Sequence, residues 1–472
     1  MSVTRWACGL YLLTLPFIYQ LAGGNVSAHD FARIAQLPLL ALAVLELVVF
    51  PRRETPTFSS STGWLLVCMG LLASASVLGS AHPLAAIREV TLLASLLVLS
   101  VVIGRAPRHW TSLNDFALAA MFSYAAVLLM VMAAMLATGH VVLMWDLPFG
   151  FDNPRFFNHV QTAAIPLLAG LSLHGAWSQR IRSLALVALT GQLFLLQTTT
   201  GRATMTALVV AGTVVMLTLG PRSLPWVRNM VLCAALALVA YLLLSTYGPG
   251  LSEMVGYQLS ARELGSAHSR DYLWNIAFEH IRSFPLLGVG PMHFAHQVNA
   301  KGAHPHNAYL QLAAEFGVPF AVAVIYLGFR CLRFMVLQLR ASTEPGQLAM
   351  GVGLFASCVA IAVDALFSGN LVMPNSQIWC FAVFGMSWGW CQDVAQASAQ
   401  QPPVKPAILK GQGLGHLFRY GLLAMVLWMN LASLSEFELE VPRLVIGHSD
   451  VGDGMVRVNA QRRPRFWSEG WF

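Results

Sequence analysis

The residues best suited to chemistry lie in a polar stretch at 304–317, which reads His-Pro-His-Asn-Ala-Tyr-Leu-Gln-Leu-Ala-Ala-Glu-Phe-Gly and leads into an apolar run. Proline is typical of a first helical turn, where its missing N–H would have no partner in any case. We therefore predict a helix that starts at Pro305, with His306 and Asn307 at its positively polarised end and Gln311 one turn further on. That end disfavours a protonated imidazole, so we expect His306 to be neutral and able to accept a proton near pH 7. The alternative interpretation is a solvated loop before a membrane span.

Three arginines could bind an anion. Arg155 lies in residues 150–162, Gly-Phe-Asp-Asn-Pro-Arg-Phe-Phe-Asn-His-Val-Gln-Thr. Arg202 follows Thr-Thr-Thr-Gly between two apolar runs, where an arginine is costly unless it is paired, functional or reaching to the headgroups. Arg270 follows Ser269, which we predict to be the N-cap of an amphipathic helix. Planar guanidinium groups bind phosphate oxygens through two parallel hydrogen bonds.

The stretch at 150–162 also places Asn158, His159 and Gln161 at the predicted start of a span. Its phenylalanines are typical of the aromatic belt at a membrane surface. An aromatic belt does not require two amides and an imidazole, so these three residues are candidate binding residues.

The elements that must position these residues are membrane spans. Of the 472 residues, 57% are hydrophobic and 10% are charged, whereas about a quarter of an ordinary soluble domain is charged. Apolar runs near the roughly 20 residues that cross a bilayer recur from end to end. We predict an all-α polytopic integral membrane protein, a single domain over residues 1–472, with about 13 transmembrane helices. The predicted spans are near residues 6–23, 34–50, 63–79, 90–104, 115–138, 159–178, 183–198, 203–220, 226–245, 317–336, 348–368, 377–394 and 416–434.

Basic residues predict the orientation of these spans. With the N-terminus inside, most lysines and arginines that flank short loops fall on the inner side. The outer side then holds a large loop at 246–316 that carries site residues, and a short C-terminal tail at 435–472. In a bacterium this means a cytoplasmic N-terminus and a periplasmic C-terminus and site. The same rule explains the net charge of +7, so we infer contact with the lipid bilayer and no nucleic-acid partner.

No cofactor and no metal site are predicted. The seven cysteines lie in or beside apolar runs without paired spacing in a loop, which indicates neither a disulfide framework nor a zinc site. His293 and His296 are spaced like metal ligands, but the glutamate of a zinc-protease motif is missing.

Together these motifs resemble the bacterial superfamily of O-antigen ligases, O-antigen polymerases and pilin-type O-oligosaccharyltransferases. The ligase signature is His, then Asn, Ser or Gln, then nine residues, then Gly-x-x-Gly. It matches His306, Asn307 and Gly317, but Phe320 replaces the last glycine. That departure concerns close helix packing more than chemistry. The stretches most similar to the short, pilin-glycosylating members are at 151–162, at 366–377 and at 464–467 (Pro-Arg-Phe-Trp).

The resemblance implies a metal-independent glycosyltransferase that moves a glycan from undecaprenyl pyrophosphate to a serine or threonine hydroxyl of an exported protein such as pilin. We expect inversion at the anomeric carbon, and loss of activity as the pH falls through the ordinary imidazole pKa of about 6.5. The implied roles are a catalytic base (His306), pyrophosphate binding (Arg202, Arg270 and Arg155) and substrate binding (Asn158, His159, Gln161, Asn307 and Gln311).

Two alternatives stay open at this point. An O-antigen ligase that transfers to lipid A-core, or an O-antigen polymerase, would use the same kind of donor and differ in the acceptor. A membrane transporter would favour ionisable groups at the bilayer midplane and repeats that relate two halves of the chain. No repeat is evident, and the polar motifs cluster at one predicted face.

Overall fold

The computed structural model describes residues 2–21, 27–50, 60–105, 112–138, 150–247, 266–297, 302–398, 412–438 and 465–467. Within these ranges the regular structure is helical and contains no strand. A 3-10 turn, Gly220–Ser223, joins two of the helices. The helices are α1 (Val3–Leu21), α2 (Ala28–Val49), α3 (Ser60–Leu78), α4 (Pro83–Gly104), α5 (Ser112–Ala137), α6 (Pro154–Leu171), α7 (Gln179–Thr198), α8 (Arg202–Leu219), α9 (Leu224–Tyr247), α10 (Ser266–Ser283), α11 (His293–His296), α12 (Ala308–Phe316), α13 (Val318–Ala341), α14 (Pro345–Asp364), α15 (Pro374–Ser398) and α16 (Gln412–Glu438).

The prediction of an all-α polytopic membrane protein is confirmed. Within the described ranges, eight helical segments are long and apolar enough to cross a membrane. One of these segments, Arg202–Thr246, contains both α8 and α9. Each of the thirteen predicted spans coincides with one helix among α1–α9 and α13–α16, so the thirteen-span arrangement stays a prediction with which the helices agree.

Helices α6 and α14 form the centre of the bundle and are buried on nearly every side. Small residues let them approach closely: a Cβ added to Gly353 would lie 2.9 Å from the Cα of Gly170. The Ser357 hydroxyl donates to the carbonyl of Ala163 at 2.8 Å. Small residues and hydroxyl bonds of this kind drive helix association in lipid, where apolar burial alone gives no preference for protein over lipid tails.

Helices α3 and α13 lie at the edge of the bundle. Few of their apolar side chains are buried, and large ones such as Trp64 and Phe329 are exposed. In a membrane these surfaces face lipid, which explains why the two helices are apolar without being buried.

Two helix starts differ from the sequence predictions. The helix predicted from Pro305 begins at Ala308, because the side chain of Asn307 accepts hydrogen bonds from the N–H groups of Tyr309 and Leu310, at 3.0 Å each. The cap therefore falls two residues after the proline, and the prediction was wrong by about one turn. The helix predicted from an N-cap at Ser269 begins at Ser266, so that N-cap was also wrong.

Gly317 ends α12 and begins α13 with a positive φ of 89°. Its hydrogen atom faces the carbonyl of Leu286, where a Cβ would collide. Phe320, which replaces the second glycine of the ligase signature, stacks on Phe316 with ring centroids 4.7 Å apart. Aromatic packing against Phe316 thus accommodates Phe320, and Gly317, the first glycine of the signature, is present.

We predict that Gly353→Leu lowers the thermal stability of the purified protein, because the new side chain would force α6 and α14 apart. Overpacking of this kind costs about 1–3 kcal/mol, occasionally more. Melting can be followed with a dye that reacts with newly exposed thiols, since Cys358 and Cys380 are buried in the bundle. Gly328→Leu on α13 is the matched control, because no atom lies within 4 Å of a Cβ at that position. Equal melting temperatures for the two variants would contradict the packing described here.

Candidate active site

The starts of α6 and α8 lie side by side at one end of the bundle, called the site end below. Asn153 caps α6 by accepting a hydrogen bond from the N–H of Arg155 at 2.9 Å, and Pro154 occupies the first helical position. Arg202 is the first residue of α8. The side-chain amide of Asn158 donates to the Thr199 hydroxyl at 2.9 Å, which ties the two helix starts together. Both arginines are exposed and lie at helix ends that already attract anions.

The loop at 302–307 is fixed at the same end. The N–H of Ala308 donates to the carbonyl of Ala365 at 2.8 Å, which places the loop over the end of α14. The indole N–H of Trp274 on α10 donates to the carbonyl of Pro305 at 3.0 Å. Because both bonds involve the backbone, they fix the path of the chain immediately before and after His306.

His306 has a left-handed backbone, with φ of 53°. Such a conformation is uncommon for a residue other than glycine, and at functional sites it is often held by surrounding contacts. Here the N–H of His306 donates to Nδ1 of His304 at 3.2 Å, so the neutral ring of His304 carries its proton on Nε2. His304 is buried, and its ring supports the backbone of His306. A substitution of His304 would therefore also disturb His306.

The pKa of His306 is lowered to about 3, first by burial and then by the charges of Arg270 and Arg155 and by His159. The expected neutral imidazole near pH 7 therefore agrees with the structure, although burial and arginines are the main causes. An activity limb near pH 6.5 from His306 in the free protein does not agree with this lowered pKa, which moves the expected limb to lower pH. The imidazole stays unprotonated and can accept a proton throughout the neutral range.

Arg270 lies on α10 and is half-buried. Burial lowers its pKa, the charge of Arg202 lowers it further, and Asp364 raises it. These influences place Arg202 and Asp364 in its electrostatic neighbourhood, while Arg270 and Arg155 in turn act on His306. Arg270 therefore lies in the electrostatic neighbourhood of both Arg202 and His306, and Arg155 lies in that of His306.

Asp364, at the last turn of α14, was not among the predicted site residues, although a carboxylate at the end of a span is expected to have a partner. That partner is His159: its Nδ1 lies 3.5 Å from a carboxylate oxygen of Asp364, and both residues are buried. The Ser368 hydroxyl donates to the same oxygen at 2.7 Å. At 3.5 Å no hydrogen bond forms between Asp364 and His159 Nδ1, so the contact is electrostatic, and Asp364 offsets part of the positive charge around His159.

The four amides predicted to bind substrate have different surroundings. Gln161 is fully buried, and its amide donates to the backbone and side-chain oxygens of Gln192 at 2.9 and 3.0 Å, which favours a role in packing α6 against α7. Asn158 is buried at the site end, and Asn307 uses its oxygen to cap α12. Gln311 lies one turn further along α12 and is half-buried.

The histidines with metal-like spacing both lie beside His82, whose ring centroid is 5.9 Å from that of His293. His296 stacks on His82, with ring centroids 4.1 Å apart and planes 16° apart. Among the residues that the structure describes, no group of three or more His, Cys, Asp or Glu side chains is arranged to hold a metal ion.

Residues 184–325 match the family model for O-antigen ligase. No curated protein matches the chain. The matched segment is less than a third of the chain and runs from α7 into α13. It contains Arg202, Arg270 and His306, and the start of α6 lies before it. Over this segment the match supports the resemblance to the O-antigen ligase superfamily and a glycosyl-transfer function.

Proposed function

We propose that the protein transfers a glycan from undecaprenyl pyrophosphate to a serine or threonine hydroxyl of an exported protein, at the outer face of the bacterial inner membrane. The N-terminus would be cytoplasmic, and the site and C-terminus periplasmic. The O-antigen ligase match supports transfer of a lipid-linked glycan in general. The protein acceptor is proposed from the motifs at 151–162, 366–377 and 464–467.

The observation that carries this proposal is the position of His306, in a left-handed backbone within a loop fixed over the end of α14 and against α10, where two arginine charges help to keep its imidazole neutral. A cluster of guanidinium groups is suited to a multiply charged anion such as pyrophosphate, whose oxygens accept paired N–H donors. A neutral imidazole beside that anion is suited to accept a proton from a hydroxyl group. When an acceptor hydroxyl displaces a lipid pyrophosphate, one site must both bind the anion and accept the hydroxyl proton.

In the proposed reaction the acceptor oxygen attacks the anomeric carbon while the bond from that carbon to the pyrophosphate oxygen breaks. The electron pair of the broken bond stays on undecaprenyl pyrophosphate, whose added charge Arg202, Arg270 and Arg155 stabilise. The hydroxyl proton moves to His306. One displacement of this kind inverts the anomeric carbon and consumes no ATP.

His159 has a supporting role in this proposal. Its ring lies beside the carboxylate of Asp364, with Nδ1 3.5 Å from the nearer oxygen, and it acts electrostatically on His306. We assign it to contact with the sugar next to the pyrophosphate and not to proton removal. Asn158 lies one residue earlier on α6 and contributes by holding α6 against the turn before α8.

Transfer to lipid A-core is the second candidate function, because the matched family model is described as O-antigen ligase. Reconstitution with undecaprenyl-pyrophosphate glycan and both acceptors, a pilin-like protein and lipid A-core, separates the two. Mass spectrometry of the products should show a glycan mass added to a serine or threonine peptide. Glycan addition to lipid A-core alone would favour the second function, and no transfer to either acceptor would contradict the glycosyl-transfer proposal.

We predict that Arg270→Lys lowers kcat/KM for the donor by about 10- to 100-fold, because a point charge does not replace a two-pronged hydrogen-bond donor. Hydrogen bonds to charged groups contribute about 1.5–3 kcal/mol each. Arg202→Lys should act in the same direction. Arg282→Lys is the matched control, since Arg282 is an exposed arginine in the last turn of the same helix, α10. Full activity of Arg270→Lys at normal protein levels would show that Arg270 does not bind the pyrophosphate.

We predict different acid limbs for kcat/KM and kcat. A base must be neutral, so activity is lost as the pH falls through its pKa. In the free protein the pKa of His306 is about 3, so kcat/KM should change less than about twofold between pH 7.5 and 5.5. Bound pyrophosphate would offset Arg270 and Arg155 and raise the pKa, so the acid limb of kcat should lie at higher pH. Initial rates over this pH range show whether the acid limb of kcat lies at higher pH than that of kcat/KM. A kcat/KM limb near pH 6.5 would contradict the lowered pKa of His306 in the free protein.

A further inference from the structure

We infer that Arg465, in the tail after the last span, is a positioning residue that holds the His306 loop and α12 in their working arrangement. This inference rests on the proposed function for its kinetic consequence, but its structural part stands independently. The tail residues Arg465, Phe466 and Trp467 are described as a buried unit, although they lie more than 20 residues beyond the end of α16.

Arg465 forms buried ion pairs with two carboxylates. Its Nη2 lies 2.6 Å from a carboxylate oxygen of Glu315 and 3.4 Å from one of Glu89. Arg465 is 1% exposed and Glu315 is 0% exposed. Carboxylates buried this deeply are strongly destabilising without a cation, so Arg465 is needed where it lies.

The same guanidinium contacts the loop that carries His306. Its Nη1 donates to the carbonyl of Ala303 at 3.3 Å. Glu315 lies in the last turn of α12, whereas Ala303 lies five residues before α12 begins. One side chain therefore holds both the approach to α12 and its end, with His306 between them.

Glu315 extends this connection to the neighbouring elements. Its carboxylate accepts a hydrogen bond from the N–H of Phe294 at 3.3 Å. Its carbonyl accepts from the N–H of Gly290 at 3.0 Å and from the Ser76 hydroxyl at 2.8 Å. The end of α12 is thereby joined to α3 and to the segment before the His306 loop.

Two further arginines contact the tail residues. The Phe466 ring lies 5.1 Å from the guanidinium carbon of Arg33 and 4.7 Å from that of Arg88. Arg33 also donates to the carbonyls of Phe466 and Arg465, at 3.0 and 3.2 Å. These contacts fix the backbone from which Arg465 projects, so its guanidinium presents a defined geometry to the loop.

The kinetic consequence depends on how precisely His306 is positioned. A displacement of about 1 Å at a reacting group costs on the order of 10²-fold in rate. Because Arg465 does not contact the three pyrophosphate-binding arginines in this arrangement, its loss should reduce kcat and leave the donor KM nearly unchanged.

Arg465→Lys in the full-length protein is the direct test. Lysine keeps the positive charge beside Glu315 and Glu89 but cannot reproduce the planar fork that also reaches Ala303. We expect an unchanged melting temperature, a fall in kcat of at least about tenfold, and a donor KM within about threefold of wild type. Hydrogen–deuterium exchange should accelerate at residues 303–308. Arg282→Lys serves again as the control and should change none of these quantities.

Unchanged exchange at 303–308 together with wild-type kcat would overturn the inference. So would a lowered melting temperature with an apparent kcat reduced in proportion to the folded fraction, at unchanged KM and with unchanged exchange at 303–308 in the folded molecules, since that pattern indicates a purely structural residue. If wild type itself transfers no glycan, the proposed function fails, and the exchange comparison still decides whether Arg465 holds the loop.

Discussion

The charges of Arg270 and Arg155 act on the uncharged imidazole of His306, and holding these like charges near one another is the constraint that the site end must satisfy. Arg270 lies in the field of Arg202, and His306 lies in the field of Arg270 and Arg155. Like charges at such separations repel, so an arrangement of this kind is stable only when something negative completes it. Asp364 offsets part of the charge. A pyrophosphate would supply the rest, which is why the geometry suits a lipid-linked donor.

Contacts between the helices of the bundle fix the backbone that carries the site residues. The close contact of Gly170 with Gly353 sets the separation of α6 and α14, and hence the position of Arg155 relative to the end of α14. The hydroxyls of Thr162 and Thr204 meet at 2.8 Å and keep α6 and α8 in register. A polar contact between helices is well defined in lipid, where no water competes for it.

Sequence reasoning located the helices and the arginines because those signals are local. Apolar runs of membrane length, and basic residues at their ends, depend only on neighbouring positions along the chain. The predicted start of α12 at Pro305 was wrong because the helix begins after Asn307, whose side chain caps the free N–H groups of the first turn. Gln161 was read as a binding residue because it stands beside His159 in sequence, but α6 turns its side chain towards Gln192. Arg465 forms ion pairs with Glu315, which is 150 residues away in sequence, and with Glu89, which is 376 residues away. No local sequence pattern could predict such contacts.

The central claim is that His306 removes the acceptor proton while the arginines hold the leaving pyrophosphate. Single-turnover transfer by His306→Ala, preloaded with undecaprenyl-pyrophosphate glycan, tests it most directly when donor binding is measured on the same sample. The account predicts donor affinity within about threefold of wild type and a transfer rate lower by about 10²- to 10⁴-fold, the range that a positioned base contributes. Transfer within about tenfold of wild type, or a loss fully explained by failure to bind the donor, would contradict the account.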